Sequence, residues 1–97
     1  MDTIFSTNQR IIILQGLEKD AGHSLSNEMI QRLLREYGHS VGTSDVNEQI
    51  NWLEQRGYVS TNRLGKSPLV IVKILKPGIE VAKGFIRAEG IDPPLEE

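Results

Sequence analysis

The chain has 97 residues, enough for one hydrophobic core but not two. It holds no cysteine, which excludes disulfides and thiolate metal sites. Its formal net charge of −2 does not announce a nucleic-acid binder, and its longest apolar runs, at 11–14 and 69–72, are far too short to span a membrane.

The distribution of charge says more than its total. Residues 1–58 carry a net −3, residues 59–87 a net +5, and residues 88–97 a net −4. A basic segment with Arg63, Lys66, Lys73, Lys76, Lys83 and Arg87 therefore sits between two acidic ones. Surface scatter alone can also produce such a pattern. The first residues lack a basic region followed by an apolar run, so no signal peptide is expected.

A first helix is expected from about Thr7 to Asp20, capped by Ser6 or Thr7. Ile11, Leu14 and Leu17 give it a core stripe, and Ile12 and Ile13 widen the apolar surface. That width has two readings, a helix buried on more than one side or one side of a dimer seam. Gly16 inside the helix costs about 1 kcal/mol against alanine, which points to a close contact there. Residues 21–24 read as a turn, and Ser26 as the cap of a second helix from about Asn27 to Tyr37. Met29, Ile30, Leu33, Leu34 and Tyr37 form its inner stripe, with Arg32 and Arg35 off it.

The third helix begins near Thr43 or Ser44, either of which can cap it, and stops at Gly57. Val46, Ile50 and Leu53 face inward, while Ser44, Asn47, Glu48, Asn51 and Gln55 lie on the other side. Residues 59–64 and 69–75 then read as two strands joined by Gly65-Lys66-Ser67-Pro68, a hairpin with Arg63 and Lys66 at its tip. A fourth helix is expected from about Ile79 to Ala88, ended by Gly90. Residues 89–97 should form an extended acidic tail, frayed at its end. The whole is one α+β domain, residues 1–97, with a three-helix core, a β-hairpin wing and a C-terminal fourth helix.

The segment from Val46 to Val59, Val-Asn-Glu-Gln-Ile-Asn-Trp-Leu-Glu-Gln-Arg-Gly-Tyr-Val, resembles the helix-to-strand signature of bacterial winged helix-turn-helix regulators. The likeness in plan runs over nearly the full chain. A narrower resemblance, to small winged-helix proteins of Mu-like phages and prophages, rests on residues 52–57, 76–84 and 90–93. Where those proteins read threonine-glutamate-lysine/arginine-glycine before the last helix, this chain has Leu75-Lys76-Pro77-Gly78, a departure confined to a turn. The resemblance implies a phage- or prophage-encoded protein of the bacterial cytoplasm, with no established activity.

In the winged-helix superfamily the third helix enters the major groove of double-stranded DNA. Carried onto this chain, that implies Ser44, Asn47, Glu48 and Asn51 as base readers, with Arg63, Lys66, Arg32 and Arg35 on the backbone. Asparagine can pair with adenine and glutamate can accept from cytosine, but the helix has no cation before Arg56, so the wing must supply much of the attraction. The expected form is a homodimer, with Ile12, Ile13, Val81 and Phe85 as seam candidates. Trp52 reads as a packing residue or as an interface anchor for a phage or host protein partner. The alternative function is such a protein-interaction module, in phage assembly or DNA packaging. His23 and His39 read as solvent-exposed turn residues; no metal, cofactor or catalytic constellation is expected.

Overall fold

Thr3, not Ser6 or Thr7, begins the first helix. In the computed structural model, which describes residues 2–96, α1 spans Ile4–Lys19, and the Ser6 backbone N–H donates to Thr3 Oγ1 at 3.2 Å. The helix begins a turn earlier than its core periodicity indicates, because Ile4 and Phe5 are exposed and lie off the apolar stripe. Gly16 has the expected close contact. A Cβ built there would overlap Leu33 of the second helix, so glycine lets the two helices approach at that point.

Ser24-Leu25-Ser26 forms a short strand, β1 (Ser24–Ser26), where the sequence shows only turn chemistry. Three residues cannot display an alternation. The strand exists because its backbone pairs with a partner far along the chain. Ser26 then caps α2 (Asn27–Glu36) as expected, its hydroxyl accepting from the Met29 N–H at 3.1 Å.

The third helix, α3, spans Thr43–Gln55. Its N-cap is Gly42, and neither Thr43 nor Ser44 caps it; no side chain accepts from its first turn. Gly57 takes φ +81°, the left-handed geometry that ends the helix and sends the chain into β2 (Val59–Arg63). The hairpin closes with β3 (Val70–Ile74). All pairing is antiparallel and the strand order is β1-β3-β2, with Leu25 opposite Val72, Val59 opposite Ile74, and Arg63 opposite Val70.

The last helix, α4, spans Lys76–Ala82, earlier than expected. Pro77 stands in its first turn, where a missing N–H costs nothing, so Lys76-Pro77-Gly78 opens a helix instead of only ending a strand. Phe85 therefore lies beyond the helix. Four helices and a three-stranded antiparallel sheet make an α+β architecture compatible with a winged-helix arrangement.

The core joins all these layers. Ile11, Ile13, Leu14 and Leu17 of α1 meet Ile30 and Leu34 of α2, Leu53 of α3 and Val72 of β3, all fully buried. Each such side chain contributes about 1.5–3 kcal/mol relative to exposure. The dimer-seam candidates are corrected here. Ile12 (2% exposed), Ile13 (0%) and Val81 (2%) lie inside the monomer; of the four, Phe85 alone, 72% exposed, is on the surface.

The segment expected to fray lies against α1. The Asp92 N–H donates to the Thr7 carbonyl at 3.2 Å, Leu95 N–H to Gln15 Oε1 at 3.0 Å, and Ile91 is buried. The acidic tail is thus extended but strapped along α1; Glu97 lies outside the described residues. Among the described residues, no helix is long and apolar enough to cross a membrane.

Candidate functional site

The inward stripe of α3 fixes which of its residues face out. Val46, Ile50 and Leu53 are buried, so Ser44, Asn47, Glu48 and Asn51 stand exposed on the opposite side. Strand β2 runs beside that face and is tied to it by Thr61 Oγ1 donating to Glu54 Oε2 at 2.6 Å. The result is an open groove of about 390 Å³ in which Ser44, Asn47, Glu48 and Asn51 share the walls with Arg63. All four residues expected on the helix and one of the two expected on the wing therefore meet. Lys66, at the exposed hairpin tip, does not line this groove.

A second cleft, about 350 Å³, opens at the start of α3. Arg32 and Arg35 line it from α2, together with Gln31, Thr43 and Pro68. Both arginines are exposed. The uncapped first turn of α3 adjoins this cleft through Thr43, so its N–H groups, two cations and the carboxylates of Glu28 and Asp45 occupy one neighbourhood.

Asn27 links these elements and was not marked by the sequence reading beyond its place at a helix start. It is 4% exposed. Its Oδ1 accepts from the Val70 N–H at 3.2 Å and from its neighbour Glu28 N–H at 3.1 Å. Its Nδ2 donates to the Pro68 carbonyl at 3.2 Å and to Asn47 Oδ1 at 3.4 Å. One buried amide thus connects α2, the hairpin and the outer face of α3.

A second polar hub lies at the far end of α3. Arg10, 4% exposed, donates to Gln49 Oε1 at 2.8 Å and to the Gly90 carbonyl at 2.9 Å, and pairs with Asp2 at 2.8 Å. Its guanidinium lies 3.7 Å from the centre of the Trp52 ring, and that of Arg56 lies 3.8 Å from it. Two cations thus stack on Trp52, which makes it a packing residue between α1 and α3. Arg10, Asn27 and Gln49 share one signal in the sequence. Each sits on the core stripe of its helix: Arg10 with Leu14 and Leu17, Asn27 with Ile30 and Leu34, Gln49 with Val46 and Leu53. A polar residue on an apolar stripe marks a buried hydrogen-bonded group.

The histidines also differ from expectation. His39 is half-buried, its Nε2 2.7 Å from Asn8 Oδ1 and its Nδ1 3.2 Å from Gln9 Nε2, so it fastens the connector before α3 to α1. His23 is half-buried at φ +56°, and its Nδ1 is buried without a hydrogen-bond partner among the described residues.

The fold and the α3–hairpin groove define an α+β domain with a polar helix face beside a β-hairpin. Among known proteins, the chain is similar to an uncharacterized protein, gp26, of Escherichia phage Mu, 29% identical over 94 residues that span 97% of this chain and 95% of the phage protein. It is also similar to an uncharacterized protein of Haemophilus influenzae, 30% identical over 61 residues, 63% of this chain and 59% of that relative. No family model matches.

Proposed function

We propose that this is a phage- or prophage-encoded winged-helix protein that binds duplex DNA, with α3 in the major groove and the β2–β3 hairpin as its wing. The observation that carries the reading is the shared groove: the polar face of α3 and Arg63 of the wing line one surface. Arg32 and Arg35 lie at the start of the same helix, where open backbone N–H groups favour an anion such as a backbone phosphate, while Glu28 in the same cleft and Asp45 in the first turn of α3 oppose it. Glu48 in the groove opposes phosphate but can accept from a cytosine amino group. In this reading the cations position the domain and the amides select bases. The similarity to a phage protein supports the phage origin.

The test is the salt dependence of binding to mixed-sequence duplexes. Each neutralised phosphate steepens the slope of log affinity against log salt by about 0.9. With Arg32, Arg35, Arg63 and Lys66 all engaged, the slope per protomer is about −3 to −4, and the double change Arg63→Ala/Lys66→Ala flattens it by about 2. Absence of binding at about 50 mM salt, or an unchanged slope in the double variant, refutes the reading.

Regulation of transcription through a homodimer is the expected biological form. A second protomer must then use surface other than Ile12, Ile13 and Val81; Phe85 and Ile86, 72% and 44% exposed, offer apolar area for it. Sedimentation at rising concentration measures this directly. A second reading, docking on a phage or host protein, draws on a groove of about 530 Å³ between α1 and α2, where Leu33 lies between the exposed Met29 and Tyr37. Co-purification lost on Met29→Ala/Tyr37→Ala, with DNA binding absent in the unaltered protein, favours that reading.

A further inference from the structure

We infer that Asn27 sets the base preference of the α3 face by fixing which half of the Asn47 amide points outward. This rests on the DNA-binding reading above. The orientation of Asn27 follows from backbone groups of fixed polarity. Two N–H donors, from Val70 and Glu28, meet its oxygen, and the Pro68 carbonyl, which can only accept, meets its nitrogen. The same Nδ2 faces Asn47, so Asn47 presents its Oδ1 inward at 3.4 Å. Its Nδ2 is then the half left for a ligand in the groove.

Asn51 is different. It is exposed in the same groove and makes no side-chain hydrogen bond among the described residues, so both halves of its amide are free. The two asparagines lie four residues apart, a rise of about 6 Å along the helix. Base pairs stack at about 3.4 Å, so the two side chains address positions about two pairs apart.

The chemistry at the two positions therefore diverges. Pairing with adenine requires an oxygen to accept from N6 and a nitrogen to donate to N7. Asn51 meets that requirement. Asn47 offers donors only, which suits a base edge made of acceptors, guanine O6 and N7 or thymine O4. Asn27 touches no base; it is a positioning residue that acts through Asn47 and also holds the hairpin at Pro68 and Val70.

Selection of bound duplexes from a random pool tests this, using the whole chain. In the unaltered protein, one selected position holds guanine or thymine and another, about two pairs away, holds adenine. Asn47→Ala relaxes the first and Asn51→Ala the second, each by about 5- to 100-fold in discrimination. Asn27→Asp keeps the acceptor for Val70 but puts an oxygen toward both the Pro68 carbonyl, whose bond is lost, and Asn47, turning that amide over. Its preference at the first position moves to adenine or cytosine, whose amino groups donate. A purely structural role for Asn27 lowers affinity at all sequences without changing the preferred base. If Asn27→Asp does not fold, the unaltered protein and Asn47→Ala decide: adenine or cytosine at the position relaxed by Asn47→Ala overturns the inference. Binding with no selected base at that position also overturns it while leaving DNA binding intact. No binding at all refutes both.

Discussion

Replacing Arg10 with alanine removes a buried cation that three segments share. The guanidinium satisfies Gln49 Oε1 at 2.8 Å and the Gly90 carbonyl at 2.9 Å, and it stacks on Trp52 at 3.7 Å. Gln49 is 7% exposed, so its oxygen loses its donor in a place water barely reaches. Orphaning a buried acceptor costs about 1–3 kcal/mol, and the stacking adds about 0.5–2 kcal/mol. Water entering the vacated space recovers part of this, which sets the expected loss at about 3 kcal/mol. Asp2 contributes less, because its side chain is 44% exposed and returns to solvent when its partner goes. Urea unfolding followed by circular dichroism reads the loss directly. For a domain of this size, the same change lowers Tm by about 12–24 °C. Asp2→Asn, the control, costs under about 1 kcal/mol. Hydrogen exchange adds a local readout: the Asp92 N–H, bonded to the Thr7 carbonyl, exchanges faster once the Gly90 anchor is gone. A loss below about 1 kcal/mol in Arg10→Ala, or an equal loss in Asp2→Asn, refutes the claim that Arg10 ties the strap to the core.

Further outcomes follow from the packing. Ser26→Ala deletes the cap of α2 and lowers stability by about 1 kcal/mol in urea unfolding, with the fold retained by circular dichroism. Gly78→Ala is expected to cost about 1–3 kcal/mol, against about 0.5 kcal/mol or less for ordinary surface changes, because a Cβ there would overlap the Tyr58 carbonyl and stand 2.8 Å from Ile74 Cγ1. Gly16→Ala meets only the end of a flexible Leu33 side chain and gains helix propensity, so it costs less than Gly78→Ala in the same assay. Ile13→Ala lowers stability by about 2–5 kcal/mol at any protein concentration, whereas Phe85→Ala, on an exposed side chain, changes it by less than about 0.5 kcal/mol. Thermal melts across a dilution series separate this core role for Ile13 from a dimer seam, which makes Tm depend on concentration.

The features legible in the residues are those whose causes lie within a few positions along the chain. Ser26 reads as a cap because the donor its hydroxyl accepts from, the Met29 N–H, is three residues away. Gly57 reads as a helix stop because left-handed backbone favours glycine wherever it occurs. The outer face of α3 follows from helical spacing alone, which is why Ser44, Asn47, Glu48 and Asn51 fall together in one groove. What the residues do not disclose depends on partners far along the chain. β1 exists through β3, forty-odd positions later, and no local pattern in three residues reports that pairing. The wide apolar surface of α1 looks like a seam until α2, α4 and the strap around Ile91 pack against the helix. Arg10 and Asn27 stand on apolar stripes that mark them as buried, but their partners, from Gln49 and Gly90 to Pro68 and Val70, lie 39 to 80 residues away and are not legible locally. Short-range stereochemistry thus decides the elements and their faces. The tertiary structure alone decides which partners satisfy the buried polar groups, because a buried donor needs acceptors that only the folded chain brings to it.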